Sequence, residues 1–252
     1  LVEVVKNMRR QILACGGEIR FHSQVTDLKL SSSQELLGLV VTDPRTGKSE
    51  EIAARIAVLA VGHSARDTFS MLMEQGVPMH AKAFATGVRI EHPQSMVNLS
   101  QYGKESVEGL GAAAYKLTAN LPSGRGVYTF CMCPGGYVVN ASSEEGRIAV
   151  NGMSYHARDG KNANSAVVVT VDPADFGSDS PLAGMEFQRR LEEAAFKAGR
   201  GKIPVQLYED FCKNQPSAGP GAVTPMIKGA YAWSNVRSIF PEEIGDALEM
   251  GI

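Results

Sequence analysis

The sequence predicts an α/β protein with a β-rich inserted domain, divided into residues 1–82 and 83–252. Two observations lead there. Ile56–Val61 is a run of six apolar residues closed by Gly62. A short apolar run of this kind reads as a strand buried on both faces, as in a parallel sheet covered by helices. From Ala83 to Val171, by contrast, short apolar segments are punctuated by glycine, and no convincing helix falls between Gly124 and Val171. That pattern predicts an antiparallel sheet or partial barrel.

Taken in order, Leu1, Val4, Val5, Met8 and Ile12 fall on one helical stripe that ends at Gly16-Gly17. Ile19 and Phe21 alternate with polar neighbours, predicting a strand that continues through Val25, Leu28 and Leu30. Ser31–Ser33 turns the chain. Leu37, Leu39 and Val41 form a second strand, closed by the turn sequence Asp43-Pro-Arg-Thr-Gly47. Glu51–Ala54 leads into the run at Ile56. Gly62-His63-Ser64 then turns into a helix over Ala65–Gln75 that stops at Gly76. A buried strand that ends in glycine and polar residues before a helix places them at the carboxyl edge of the sheet, where α/β proteins bind ligands.

In the β-rich part the predicted strands are Ala85–Ile90, Val127–Cys131, Tyr137–Asn140, Ile148–Met153 and Ala166–Val171. Ser180-Pro181 starts a helix with proline at its first position, and Phe187, Leu191, Ala194, Ala195 and Ala198 line its apolar stripe over 182–199. Gln215–Gly221 reads as a loop or flexible connector. Phe240-Pro241 opens a last helix over 241–250.

Composition narrows the function classes. With 252 residues, 44% apolar and 21% charged, and a net charge of −2, the composition argues against a nucleic-acid polyanion as the main partner. No apolar run approaches a membrane span and no signal peptide is visible, so no membrane partner is expected. Four scattered cysteines do not make a disulfide scaffold, and a reducing cytoplasm is the expected compartment. The chain opens at Leu1 inside a helical pattern and stops at Gly251-Ile252, which leads to the expectation of a piece of a longer protein.

Gly-Gly-Glu-Ile-Arg-Phe-His-Ser-Gln-Val-Thr-Asp-Leu (16–28), the Gly38-containing hairpin and Val-Leu-Ala-Val-Gly-His-Ser (58–64) together resemble the middle of many FAD-dependent oxidoreductases. His63–Thr68, Gly87–Pro93, Cys131–Gly136 and Asn151–Arg158 are similar to a bacterial group of FAD-dependent dehydrogenases, and the likeness runs to about residue 210. The resemblance implies that residues 1–82 are part of a Rossmann-like FAD domain and that the β-rich part covers the isoalloxazine and the substrate. It implies an oxidoreductase in which FAD takes a hydride or electrons from a small organic molecule. No G-x-G-x-x-G follows a strand here; in the family that phosphate-binding loop lies earlier and a glycine-rich flavin segment lies later. FAD is therefore expected in the full-length protein and not in this stretch alone, whose partners include the remaining segments of its own chain. Two other readings stand beside it: a non-catalytic flavoprotein-like module that binds a ligand or partner, and a tRNA-modifying flavoprotein, against which the near-neutral charge weighs.

The resemblance implies that Val25 contacts the adenine through its backbone; a core valine is the competing reading. Ala60, Gly62 and His63 are the other candidate cofactor residues. Glycine lets backbone approach a flat ligand without a Cβ clash, and His63 either contacts the cofactor or caps the helix after it. Arg89 and His156 are the candidate catalytic residues, and Arg125 and Arg158 the candidate substrate-binding ones. Arginine forks suit anions and histidine can move a proton, while surface ion pairs and a satisfied core histidine are the alternatives. Cys131 and Cys133 fall at alternate strand positions and so point the same way. That is a poor geometry for a mutual disulfide, and no further ligand pair is present for a metal. No metal site is expected.

Overall fold

The computed structural model describes residues 2–252, so Leu1, the first member of the helical stripe, lies outside the described residues. The chain forms two compact units, one up to Met79 and one from His80 to Ile252.

In the first unit, α1 (Val2–Ala14) precedes an antiparallel sheet of three strands in the order β1 (Gln24–Leu30), β2 (Leu36–Thr42), β3 (Ser49–Ala53). The β1–β2 turn is held by Ser31, whose Oγ accepts the amides of Ser33 and Glu35 at 3.2 and 3.1 Å. The β2–β3 turn is built on Asp43, which accepts the Arg45 amide on its carboxylate and the Gly47 amide on its carbonyl, both at 2.8 Å. Gly38 is required at the centre of β2: a Cβ there would stand 2.7 Å from the Ile52 carbonyl oxygen. α2 (Arg66–Glu74) lies against β1, tied by the Gln24–Asp67 hydrogen bond and by Gln75 Nε2 donating to Asp27 at 2.5 Å.

Three expectations for this unit are corrected. Ile56–Val61 forms no strand and is not buried; Ile56 and Val58 are 84% and 86% exposed. A parallel strand needs neighbours on its edges and helices on both faces, and the sheet of this unit is antiparallel and ends at β3. The strand read from Ile19 begins only at Gln24, because His22 takes a positive φ of 53° that breaks the extended chain. Leu37 points outward, while Gly38 and Val41 are the buried positions of β2. The stripe of α1 is present but exposed throughout.

The second unit is built on a four-stranded antiparallel sheet, β5 (Thr118–Asn120), β6 (Gly126–Cys133), β9 (Asn162–Val171) and β4 (Phe84–Pro93), in the order β5-β6-β9-β4. β7 (Gly136–Asn140) and β8 (Val150–Ser154) form a second, antiparallel pair, extended by β11 (Ile227–Lys228) running parallel to β7. β10 (Ile203–Val205) and β12 (Tyr231–Trp233) pair in parallel. α3 (Gln94–Tyr102) follows β4, α4 (Pro173–Phe176) and α5 (Ala183–Gly199) follow β9, and α6 (Tyr208–Cys212) and α7 (Glu242–Gly251) complete the unit. The core lies on one face of the large sheet, where Val127, Val167, Val169 and Val171 meet Phe176, Phe187, Phe211, Ile244 and Leu248.

The five predicted strands and both predicted helices of this unit are present. α3, α6 and the short strands β5 and β10–β12 were not legible from the sequence pattern. The loop at Gln215–Gly221 is anchored: Ser217 Oγ donates to Asp210 at 2.6 Å and accepts the Leu207 amide at 2.8 Å. Among the described residues no helix is long and apolar enough to cross a membrane.

Candidate functional site

In the second unit the polar face of the large sheet gathers around Arg89. Strand alternation sends Arg89 and Glu91 to the face opposite Ile90 and His92. Arg89 is half-buried, and its guanidinium holds four groups: Asn164 Oδ1 at 2.7 Å, Asn151 Oδ1 at 3.4 Å, Cys133 Sγ at 3.3 Å and the Cys131 carbonyl. The last of these explains a strained piece of backbone. β6 pairs Phe130 with Ala166 and then Cys133 with Asn164, so one extra residue is bulged out, and Cys131 sits at φ 48°. The arginine fork caps the carbonyl that this bulge withdraws from the ladder.

The bulge corrects the reading of the two cysteines as alternate residues of a regular strand, since Cys131 leaves the pleat. Both are free thiols, Cys131 exposed and Cys133 part-buried. Among the described residues no three His, Cys, Asp or Glu side chains converge on a metal position.

Pro134-Gly135-Gly136 is a tight approach between strands. A Cβ on Gly135 would run into the carbonyl of Arg158, and one on Gly136 would lie 2.6 Å from the Met153 carbonyl oxygen. Arg158 therefore contributes its backbone to this turn, at φ 53°, while its side chain is exposed. His156 is also exposed, in the turn closed by the Arg158 amide donating to the Tyr155 carbonyl at 3.1 Å. On the next strand, a Cβ at Gly152 would collide with the Arg89 guanidinium and Asn164 Oδ1. Glycine at 152 is what lets Arg89 lie flat between the sheets.

Arg125 is not brought to Arg89. It lies by Thr170, six residues along β9 from Asn164 and so roughly 20 Å away. Its guanidinium is spent on Asp175, at 2.9 and 2.5 Å, and on the Thr170 carbonyl at 3.0 Å. The Arg125 fork holds the Asp175 carboxyl below the usual carboxylate range, and Asp175 in turn holds the Arg125 guanidinium above its own. An acid whose folded pKa is depressed contributes stability above its unfolded pKa of about 3.9, and that contribution is lost as pH falls toward the folded value. Asp175→Asn is expected to flatten the acid limb of a stability–pH curve below about pH 4, read by denaturant midpoints. An unchanged acid limb would show that the pair contributes nothing there.

Other titrating groups on this sheet respond to burial. Burial raises the Glu91 carboxyl, with the Met226 amide at 2.8 Å and the Asn162 amide at 3.3 Å opposing. Burial lowers His92, favouring the neutral ring. Tyr115 is raised by burial, with Ser165 and Arg89 opposing.

In the first unit, Val25 is part-buried on β1, next to Gln24, whose side chain reaches Asp67 in the first turn of α2. Ala60, Gly62 and His63 are exposed, and His63 Nε2 lies 3.0 Å from Ser64 Oγ. Gly62 has φ 76°, and a Cβ there would meet nothing within 4 Å.

The residues that sequence reasoning missed are Asn151 and Asn164, which orient Arg89, and the His92–Tyr115 pair. A signal for Asn164 was present: Asn162-Ala-Asn164-Ser165 opens a strand that is otherwise almost wholly apolar. Such polar residues in a buried strand need partners.

A family model described as "FAD-dependent protein, C-terminal domain-like" matches residues 83–252. A protein of Clostridium beijerinckii named "Uncharacterized protein" is 50% identical over 253 residues, covering 99% of this chain and 46% of its own length. The chain spans about half the length of that relative. With the match extending from the start of β4 through α7, the chain belongs to the FAD-dependent protein, C-terminal domain-like family.

Proposed function

We propose that the full-length protein is an FAD-dependent oxidoreductase. In this reading residues 2–79 supply part of a Rossmann-like FAD domain, and residues 80–252 supply the substrate side. The observation that carries it is Ile56–Gly62, apolar, exposed and unpaired, ending in a glycine at φ 76°. An apolar run of this length left in water is costly; in this reading it pairs as a parallel strand only with segments outside residues 1–252, the relative being about twice as long as this chain. FAD supplies the hydride acceptor when bound. The chain's own contribution is positional. The backbone from Ala60 to His63 passes the cofactor without a Cβ at Gly62, Val25 offers its amide and carbonyl beside it, and the Arg89-held bulge shapes the polar face of the second unit. His156 and Arg158, both exposed, are the side chains free to meet an anionic substrate, with His156 able to take or give a proton; Arg125 is committed to Asp175.

Hydrogen exchange on the full-length protein tests the placement of Ile56–Val61. Slow exchange of these amides, comparable with β2, is the expected result. Exchange as fast as in an unpaired segment would remove the parallel-strand reading.

A further inference from the structure

The opposite face of the large sheet carries a feature that the flavoprotein reading does not use. A cleft of about 500 Å³ opens between that face, α3, the segment leading into β5 and the end of α7 at Gly251 and Ile252. Met96 and Val97 of α3, Thr129 of β6 and Val167 of β9 are among its walls, and no Asp, Glu, Lys or Arg side chain lines it. Seven of its lining residues carry polar side chains; two of them, His92 from β4 and Tyr115 from the connecting segment, have their rings 5.4 Å apart. His92 Nε2 and the Tyr115 hydroxyl are both shielded from water and make no hydrogen bond of proper geometry; Ser165 lies near the hydroxyl without completing one. Buried polar atoms without partners are rare in folded proteins and call for an explanation.

We propose that this cleft binds a small, uncharged, largely apolar organic molecule, of the class of ring-bearing alcohols or ketones, whose single oxygen is hydrogen-bonded by His92 and Tyr115. The volume is within the range of small-molecule sites, and an apolar wall with a few convergent polar groups is their usual composition. The absence of charged lining excludes the class of anions for which the arginines were read. Burial keeps His92 neutral, so one ring nitrogen accepts and the other donates. A bound hydroxyl or carbonyl oxygen would complete the two atoms that the protein leaves unpaired, after a small rotation of either ring. The inference goes beyond the flavoprotein reading and does not rest on it.

The test uses full-length protein and two probes with the same ring system, neutral 2-naphthol and anionic 2-naphthoate, followed by fluorescence titration. Saturable binding of 2-naphthol is expected, with 2-naphthoate at least tenfold weaker. Ser100→Trp, on the exposed rim of the cleft, should abolish binding, with Met96→Trp as the replacement if the first variant melts early. His92→Phe keeps the ring and removes the nitrogen, and should weaken 2-naphthol about tenfold, the order expected for one buried hydrogen bond. Absence of saturable binding, equal affinity for the two probes, or binding unaltered in both tryptophan variants would each overturn the proposal. Flavin absorption read on the same samples keeps the two readings apart: a colourless protein that binds 2-naphthol contradicts the flavoprotein reading alone.

Discussion

Replacing Arg89 by alanine is expected to lower the stability of the second unit by about 3 kcal/mol, in the range for breaking a buried hydrogen-bond network. The expectation rests on what the guanidinium leaves behind. Asn164 is fully buried and would lose the partner of its Oδ1, and its Nδ2 already has none among the described residues. The Cys131 carbonyl, bulged out of the ladder at φ 48°, would lose its cap. Lysine at 89 retains the charge but not the fork and should recover only part of the loss. Gly152→Val should imitate the alanine variant from the other side, because the added side chain occupies the space of the guanidinium. Urea unfolding of the full-length protein and the three variants measures this. An Arg89→Ala variant within 0.5 kcal/mol of the parent, the usual span for surface substitutions, would show that the arginine is a surface group and not the keystone of the bulge.

Gly62→Val in the full-length protein is expected to reduce FAD retention at least tenfold, about 1.4 kcal/mol or more, while Gly76→Val leaves it within twofold. The two positions make a matched pair. Gly62 lies at φ 76° and Gly76 at φ 73°, and a Cβ at either would meet nothing within 4 Å. The strain of a β-branched residue in the left-handed region is thus shared. Gly76 only closes α2, its amide donating to the Met73 carbonyl at 3.0 Å. Any difference in flavin content between folded samples of matched melting temperature therefore reports on what lies against Gly62. Equal retention would remove the cofactor contact assigned there.

The β-rich unit was legible in the sequence wherever glycine and proline punctuated short apolar runs, as at Gly126, Gly136 and Pro181. α3 was missed because Gln94–Tyr102 has only a weak apolar stripe and begins directly after His92-Pro93, without a polar cap. Ile56–Val61 was legible as a strand by composition, but strand formation needs partners, and local pattern does not supply them. The site followed the same division. Arg89 was found by residue type, whereas of its real neighbours Asn164 is brought to it by the register of β4 with β9 and Asn151 comes from β8 of the other sheet. Arg125 has the same residue type, but its partner Asp175 lies 50 residues away in a capping box at the start of α4, which no local pattern announces.

The visible absorption spectrum of the full-length protein tests most directly whether it holds a flavin. About one equivalent of FAD per chain is expected, surviving gel filtration and bleaching on addition of a reductant. Residues 1–252 expressed alone should elute without stoichiometric flavin. A full-length protein that is colourless, and stays so after incubation with excess FAD and removal of the free cofactor, would contradict the account.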